Sequence, residues 1–447
     1  MKSLSTTAFA ALLIGGLQAA STAASGPAYI VVPLGSASIP TWTATGVNDK
    51  GQVCGWGQTP DYQRYSFVSG SCGGGVKLVG DGPGTARAIN SSGQVTGTTS
   101  RSGQGLAFLT GRNGYGTSLV STPPNAATEG VGVNASGQVC GQYNVGVYTQ
   151  AFLTAPNGGT VKLLGSLGGA YSYANAVNDR GQVAGYVDVL GQSHAFLSAP
   201  GGGSLKDLGV VFGDSSSGIG VNSHGQVAGS SFDSVTHNSH AFVSDPNGGA
   251  LHDIGFLGLM IIEKLDGTLT FYFSAQANGI NDAGVAVGTT NISNPSGFIY
   301  RNGQMVDLNT LIDPSAGIHI ITASGISNDG FICGAARYGT DQSTPSFAVL
   351  LIPRATHLAP PTALTATGHN TTVSLHWTAS AGAQSYAIYR STTPGVIGDH
   401  PINADIHLTS YIDTGRKNGV KYYYAIRAED QTGLSDQSGA ASATPHA

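Results

Sequence analysis

One short phrase governs what this chain can fold into, because it recurs seven times. The pattern G-x-[VI]-x-G begins at Gly51, Gly93, Gly137, Gly181, Gly225, Gly284 and Gly330, the sixth copy relaxing to GVAVG. The intervals are 42, 44, 44, 44, 59 and 46 residues. Three positions before each glycine stands Asn48, Asn90, Asn134, Asn178, Asn222 or Asn281, and Ser327 in the last copy. A short polar side chain opening a type I turn caps it, and glycine takes the left-handed position that follows. Apolar residues flank every copy, so each predicts a β-hairpin, strands a and b of a repeat.

Two further landmarks complete the unit. Phe67, Phe108, Phe152, Phe196, Phe242, Phe298 and Phe347 sit in short apolar runs such as HAFLS and HAFVS, which predict strand c. An aromatic at one place per repeat reads as a core anchor between neighbouring units. A glycine-rich turn then leads to a fourth run, strand d, as in VKLVG from Val76, LKDLG from Leu205 and MVDLN from Met305. Strand d follows hairpins one to six, is missing after the seventh, and has a spare copy, YIVVPLG from Tyr29, ahead of the first. Four antiparallel strands per unit, seven units and a displaced strand predict an all-β fold, a seven-bladed β-propeller closed by its N-terminal strand. An open array would leave two unpaired edges.

Composition agrees with short strands and turns. Charged residues are 10% of the chain, against about a quarter usually, and there are 67 glycines. A net charge of −5 offers no basic footprint, so nucleic acid is excluded as an expected partner. Residues 1–24, with one lysine, an apolar run from Ala8 to Leu17 and small residues after it, read as a secretory signal cut after Ala24 rather than Ala20. No later stretch is long and apolar enough to span a bilayer. The mature protein is therefore expected to be secreted and monomeric. Of the four cysteines, Cys54, Cys140 and Cys333 share one slot of the repeat, and none forms a C-x-x-C pair. Cys72 lies at the far end of the strand c that follows Cys54, which predicts a Cys54–Cys72 disulfide in an oxidising compartment. Cys140 and Cys333 are expected to stay reduced.

The A-x-x-[IV]-N-x-x-G-Q-V-x-G and H-A-F-[LV] motifs resemble the extracellular HAF-type repeat proteins of bacteria over residues 29–353. His194-Ala195-Phe196 and His240-Ala241-Phe242 match fully, whereas Tyr65-Ser66-Phe67 and Ser296-Gly297-Phe298 depart. The resemblance implies export and a repeat architecture and no catalytic residues. After Pro353 the text changes, and residues 359–446 resemble a fibronectin type III domain, a β-sandwich of seven short strands. Val373, Leu375 and Trp377 alternate on one strand face, as do Tyr422, Tyr424, Ile426 and Ala428 on another. The resemblance puts Trp377 in the core and Tyr422 at the family's tyrosine corner. The expected division is a signal at 1–24, a repeat propeller at 27–353, a linker at 354–361 and the sandwich at 362–446.

Chemistry is sparse. Glutamate occurs only at Glu129, Glu263 and Glu429, and most aspartates fall in turns or in strand d. His237 and His240 form H-x-x-H, but His240 belongs to the repeated motif, so a structural histidine is expected. No catalytic residue, metal site or cofactor is predicted. The a–b and c–d turns share one end of the ring and are uniform, whereas the b–c and d–a connections share the other end and vary. That variable face collects Tyr62, Tyr143, Tyr148, Tyr171, Tyr173 and Tyr338. It also receives an insertion, read as an extra hairpin turning at Leu265–Thr268. Binding sites favour variable loops on a rigid scaffold. The expectation is a secreted binding or adhesion protein presenting this face to an extracellular polymer, a glycan among the candidates, or to a surface protein. The alternative is a secreted polysaccharide-acting hydrolase or lyase with a fibronectin type III accessory domain, which convergent carboxylates on that face would mark.

Overall fold

The computed structural model describes residues 28–447 apart from 36–40, 102, 121–125, 259, 264–268, 292–293, 355–357, 396, 399 and 431–432. The proposed signal segment lies outside the described residues, as does the turn at Leu265–Thr268. Strands Met260–Glu263 and Leu269–Tyr272 on either side of that turn pair antiparallel as a separate two-stranded hairpin.

The fold is all-β, built of small antiparallel sheets. Six consecutive four-stranded sheets follow chain order, the first being Thr41–Val47, Val53–Gln58, Arg64–Ser69 and Val76–Leu78. The seventh contains Ile318–Ile326, Ile332–Tyr338 and Phe347–Pro353, and its outer strand is Tyr29–Leu34 from the N-terminus. Tyr29 pairs with Pro353 and Leu34 with Ala348, antiparallel. The strand is buried almost throughout, with Ile30, Val32 and Leu34 in one core cluster and Tyr29 and Val31 in the next.

Each repeat motif has a physical task. Gly51 adopts φ 63°, and its N–H donates to the Asn48 carbonyl at 2.9 Å, closing the predicted turn. The second glycine of the motif makes room for the anchor. A Cβ on Gly55 would stand 1.9 Å from the Thr43 carbonyl oxygen and 2.9 Å from Phe67, the residue directly opposite it. The same opposition pairs Gly97 with Phe108, Gly141 with Phe152, Gly185 with Phe196, Gly229 with Phe242 and Gly288 with Phe298, all six rings fully buried. The seventh copy departs from the expectation. Gly334 faces Val349, while Phe347 falls two residues early, opposite Ala336, and is only half-buried. There Val349, fully buried, is the residue opposite the glycine, a smaller anchor than the phenylalanine of the other six sheets.

Neighbouring sheets meet through strand a. Two positions before each turn asparagine stands Gly46, Ala88, Gly132, Ala176, Gly220 or Gly279, and Gly325 in the last copy. A Cβ on Gly220 would lie 3.1 Å from the Gly279 Cα, and one on Gly279 3.2 Å from the Gly325 Cα, so only very small residues allow this approach. The seventh sheet also meets the first. Trp42 and Val53 share a core cluster with Phe331, Cys333, Leu350 and Ile352.

Beyond Arg354, sheets formed by Thr362–His369, Thr372–Thr378 and Ser410–Thr414 and by Asn403–Ile406, Ser385–Ser391 and Tyr422–Asp430 make a fibronectin-type sandwich. Trp377 is buried edge-on to Tyr386 at 5.4 Å, and the Lys417 N–H donates to the Tyr422 hydroxyl at 3.1 Å. The sandwich packs on the seam between the seventh and first sheets. Ala387, Tyr389 and Leu434 join the cluster of Leu350 and Ile352, and Arg354 pairs with Asp436.

Candidate functional site

The two ends of the axis differ in how much hydrogen bonding they leave free. At the uniform end, each turn asparagine is consumed by the fold. Asn48 Nδ2 donates to the Asn90 carbonyl at 3.0 Å, Asn90 to Asn134 at 2.9 Å, Asn134 to Asn178 at 3.0 Å and Asn178 to Asn222 at 2.8 Å. Asn222 continues to Asn281 at 3.0 Å, and Asn281 to Ser327 at 3.2 Å. Serine cannot reach across the last junction, and the Asn328 N–H instead donates to Asp49 Oδ1 at 2.7 Å. Asp179 and Asp282 accept from Ala135 and Ser223 N–H groups in the same way, each at 2.8 Å. These polar groups already have partners within the protein.

The other end opens into a mouth of about 460 Å³, lined by strand a residues that include Thr43, Thr45, Arg87, Asn175, Gln276 and Asn278. Asn175 Nδ2 donates to the Gly218 carbonyl and Asn278 Nδ2 to the Ala323 carbonyl, both at 2.8 Å, tying each sheet to the next. Their Oδ1 atoms face no donor among the described residues. Arg87 stands at the same repeat position as Thr45, Asn175 and Asn278. It is exposed and makes no hydrogen bond or ion pair with the described residues. Glu129 takes the place of Thr43 and Gln276 on the third sheet and is the one carboxylate at those two mouth-ringing positions among the described residues.

The tyrosines read from the sequence divide into groups. Tyr171 and Tyr173 come together with Tyr186, which sequence reasoning missed. Tyr173 and Tyr186 stack at 4.7 Å with planes 13° apart, and Tyr171 meets Tyr173 edge-on at 5.7 Å. Burial, with the neighbouring Tyr173 and Tyr171 hydroxyls, pushes the Tyr186 phenol above its ordinary pKa. Tyr186 lies directly across from Tyr173 in the strand a–b pairing, so its cross-strand position was the available signal. Tyr148 is exposed next to Thr149, which bridges to Tyr171, whereas Tyr143 packs partly into the third sheet's core. Tyr62 and Tyr338 stand apart on the first and seventh sheets. Tyr62, 81% exposed, overhangs a cleft with Arg64, whose guanidinium lies 4.3 Å from the Trp56 ring centroid. Tyr338 leans on Phe347 at 5.0 Å.

One sequence expectation gains partners and another is corrected. His194 and Asp207, read separately as motif and strand d residues, meet at 3.0 Å, and His240 meets Asp253 in the same way. Both pairs have the same spacing and occur only in the fourth and fifth repeats, a signal the sequence did contain. Each clips strand c to strand d, and His240 is further boxed by Phe212, Phe256 and Phe273. The expected Cys54–Cys72 disulfide is not formed, and all four thiols are free and buried. Cys54 is opposite Val68 and packs toward the second sheet, with Sγ 3.6 Å from Thr45 Oγ1. Cys72 lies past the end of strand c in a short turn, at φ 50°, and faces the sandwich, with Sγ 3.7 Å from Glu429 Oε1. The two sulfurs thus serve different cores. Burial pushes the Cys54 and Cys140 thiols up to about 12. Burial also raises the Glu429 carboxyl, with Asp405 and Asp329 adding to the effect.

No family model matches the chain. Among curated proteins it is similar to an amylopullulanase of Thermoanaerobacterium saccharolyticum, 41% identical over 73 residues, which are 16% of this chain and 6% of that protein. An amylopullulanase of Thermoanaerobacter thermohydrosulfuricus is 40% identical over 74 residues, 17% of this chain and 5% of that protein. The chain thus spans a small part of these relatives' length. Among solved structures, an Fn3-like protein from Clostridium thermocellum is 36% identical, covering 19% of this chain and 90% of that one at a TM-score of 0.18. TolB from Acinetobacter baumannii is 15% identical, covering 60% of this chain and 63% of that one at a TM-score of 0.40. Among the described residues, no helix is long and apolar enough to cross a membrane.

Proposed function

We propose that the chain is a secreted, carbohydrate-associated binding protein. In this reading the seven sheets are the blades of a β-propeller of the HAF-repeat kind, closed by the N-terminal strand, with a fibronectin type III domain seated on the seam. The asparagine ladder and the shared core of the seventh and first sheets support the closed ring. The similarity to stretches of two amylopullulanases supports a carbohydrate association, and the composition of residues 1–24 supports export.

The observation that carries the reading is the contrast between the two ends. One end spends its polar groups on itself. The other offers an open polar mouth, a guanidinium unpaired among the described residues and a tyrosine group at the rim, a mixture of hydrogen-bonding and aromatic surface suited to sugar rings. A mouth of about 460 Å³ is in the size range of small-ligand sites. Affinity electrophoresis through gels holding neutral and acidic polysaccharides tests this. The mature chain should be retarded by at least one polymer, and a variant with Tyr171→Ser and Tyr173→Ser should migrate freely in that gel. Free migration of the wild type in every gel overturns the proposal.

A further inference from the structure

We infer that the mouth of the central channel binds a uronic-acid residue of an acidic glycan, with Arg87 holding the carboxylate. The inference rests on the binding role proposed above and names the ligand class.

The repeat itself makes Arg87 stand out. Its six counterparts are Thr45, Val131, Asn175, Ile219, Asn278 and Ser324, all neutral and all shorter. Neither the turn nor sheet packing demands an arginine at one of seven equivalent places. Inside a cavity the guanidinium is left with five N–H donors and no partner among the described residues. Its planar fork fits a carboxylate through two parallel hydrogen bonds. The one carboxylate at the neighbouring ring position, Glu129, does not pair with it.

The rest of the lining suits hydroxyl groups. Asn175 and Asn278 have committed their N–H groups to the next sheet, so their oxygens are available to accept from sugar hydroxyls. Gln276, Ser217, Ser324 and Thr43 can both donate and accept. An apolar ligand would strand these groups. A polyphosphate or nucleic acid would need several cations, whereas this mouth has one, on a chain of net charge −5. One cation among neutral donors and acceptors, with Glu129 the one carboxylate at the ring positions among the described residues, matches a sugar with a single negative charge.

Titration calorimetry with trimers of galacturonate, glucuronate and mannuronate, and with maltotriose, tests the assignment. The wild type should bind at least one uronate trimer more tightly than maltotriose, and the preference should shrink at high salt. Arg87→Gln should weaken uronate binding about tenfold or more and leave the unfolding temperature unchanged, because the side chain makes no hydrogen bond or ion pair with the described residues. Glu129→Gln should bind the uronate at least as tightly as wild type. Unchanged uronate affinity in Arg87→Gln, or no uronate preference in the wild type, overturns the inference. Should maltotriose bind in a tyrosine-dependent way while no uronate is preferred, the inference falls and the proposed function stands. If neither the trimers nor any polymer binds, both fall.

Discussion

Replacing Asn178 by alanine tests the physics of the repeated turn. Its Nδ2 donates to Gln182 Oε1 at 2.9 Å and to the Asn222 carbonyl on the next sheet at 2.8 Å. Its Oδ1 accepts from the N–H groups of Arg180 at 3.1 Å and Gln182 at 3.0 Å. The residue is buried, and so is Gln182. A hydrogen bond contributes about 1 kcal/mol net, and a buried group left without a partner costs about 1–3 kcal/mol. The ladder lines an open pocket, so water can reach some of the groups set free, and the expected loss is about 3–4 kcal/mol. Unfolding entropy near 2.1 cal/mol/K per residue makes the repeats lose stability at roughly 0.7 kcal/mol per degree, so the midpoint should fall by about 5 °C. Asn178→Ser should fall about half as far. Serine retains an acceptor, as Ser327 does for the Phe331 N–H at 3.2 Å, but lacks the donor to the next sheet. The assay is urea and thermal unfolding of the mature chain. A shift under about 0.5 kcal/mol for the alanine variant would show that the ladder is incidental to the fold.

Four further outcomes follow from the same structure. Changing the exposed Tyr62, Tyr148 and Tyr338 to serine should leave the unfolding midpoint within about 1 °C, since surface substitutions rarely exceed 0.5 kcal/mol; a larger fall in a melting curve would make them packing residues. Native protein should resist iodoacetamide at all four cysteines, with a non-reducing peptide map showing each thiol alkylated only after unfolding. Because burial raises the Cys54 and Cys140 pKa values, the folded state holds protons that the unfolded chain releases, so their contribution to stability is full below the unfolded thiol pKa and declines as pH rises through the folded value. Urea midpoints measured from pH 8 to 10 should therefore fall, and a rise would contradict the burial. Glu429→Gln should stabilise the junction with the sandwich at pH 8, where a partly buried carboxylate beside Asp405 and Asp329 is unfavourable, and the gain should vanish near pH 4; an equal gain at both would remove the electrostatic cause.

The sequence made the repeat legible because each of its signals has a strict backbone cause. Asn178 and Gly181 are dictated by one turn, and the surplus strand at Tyr29 by an unpaired edge at Phe347–Pro353. The glycine or alanine two residues before each asparagine is equally visible in the sequence, but its cause is the approach of strand a in one sheet to strand a in the next, which no local pattern encodes. The site was harder. Tyr171 and Tyr173 stand in the sequence on the variable face, but Tyr186 joins them only across strands, and Arg87 is distinguished by having no partner among the described residues. The disulfide expectation failed because Cys72 lies beyond the strand end, where alternation no longer predicts facing.

The most direct test of the closed ring is to shorten the chain. Residues 29–34 place five nearly buried apolar side chains against the seventh sheet, a burial on the order of 10 kcal/mol before entropy losses. A chain beginning at residue 35 should be compared by urea unfolding with one beginning at residue 28. The account predicts that the shorter chain is unfolded or aggregated under conditions where the longer one unfolds cooperatively, and that a synthetic peptide of residues 28–35 partly restores its folding. Equal urea midpoints for the two chains would contradict closure by the N-terminal strand.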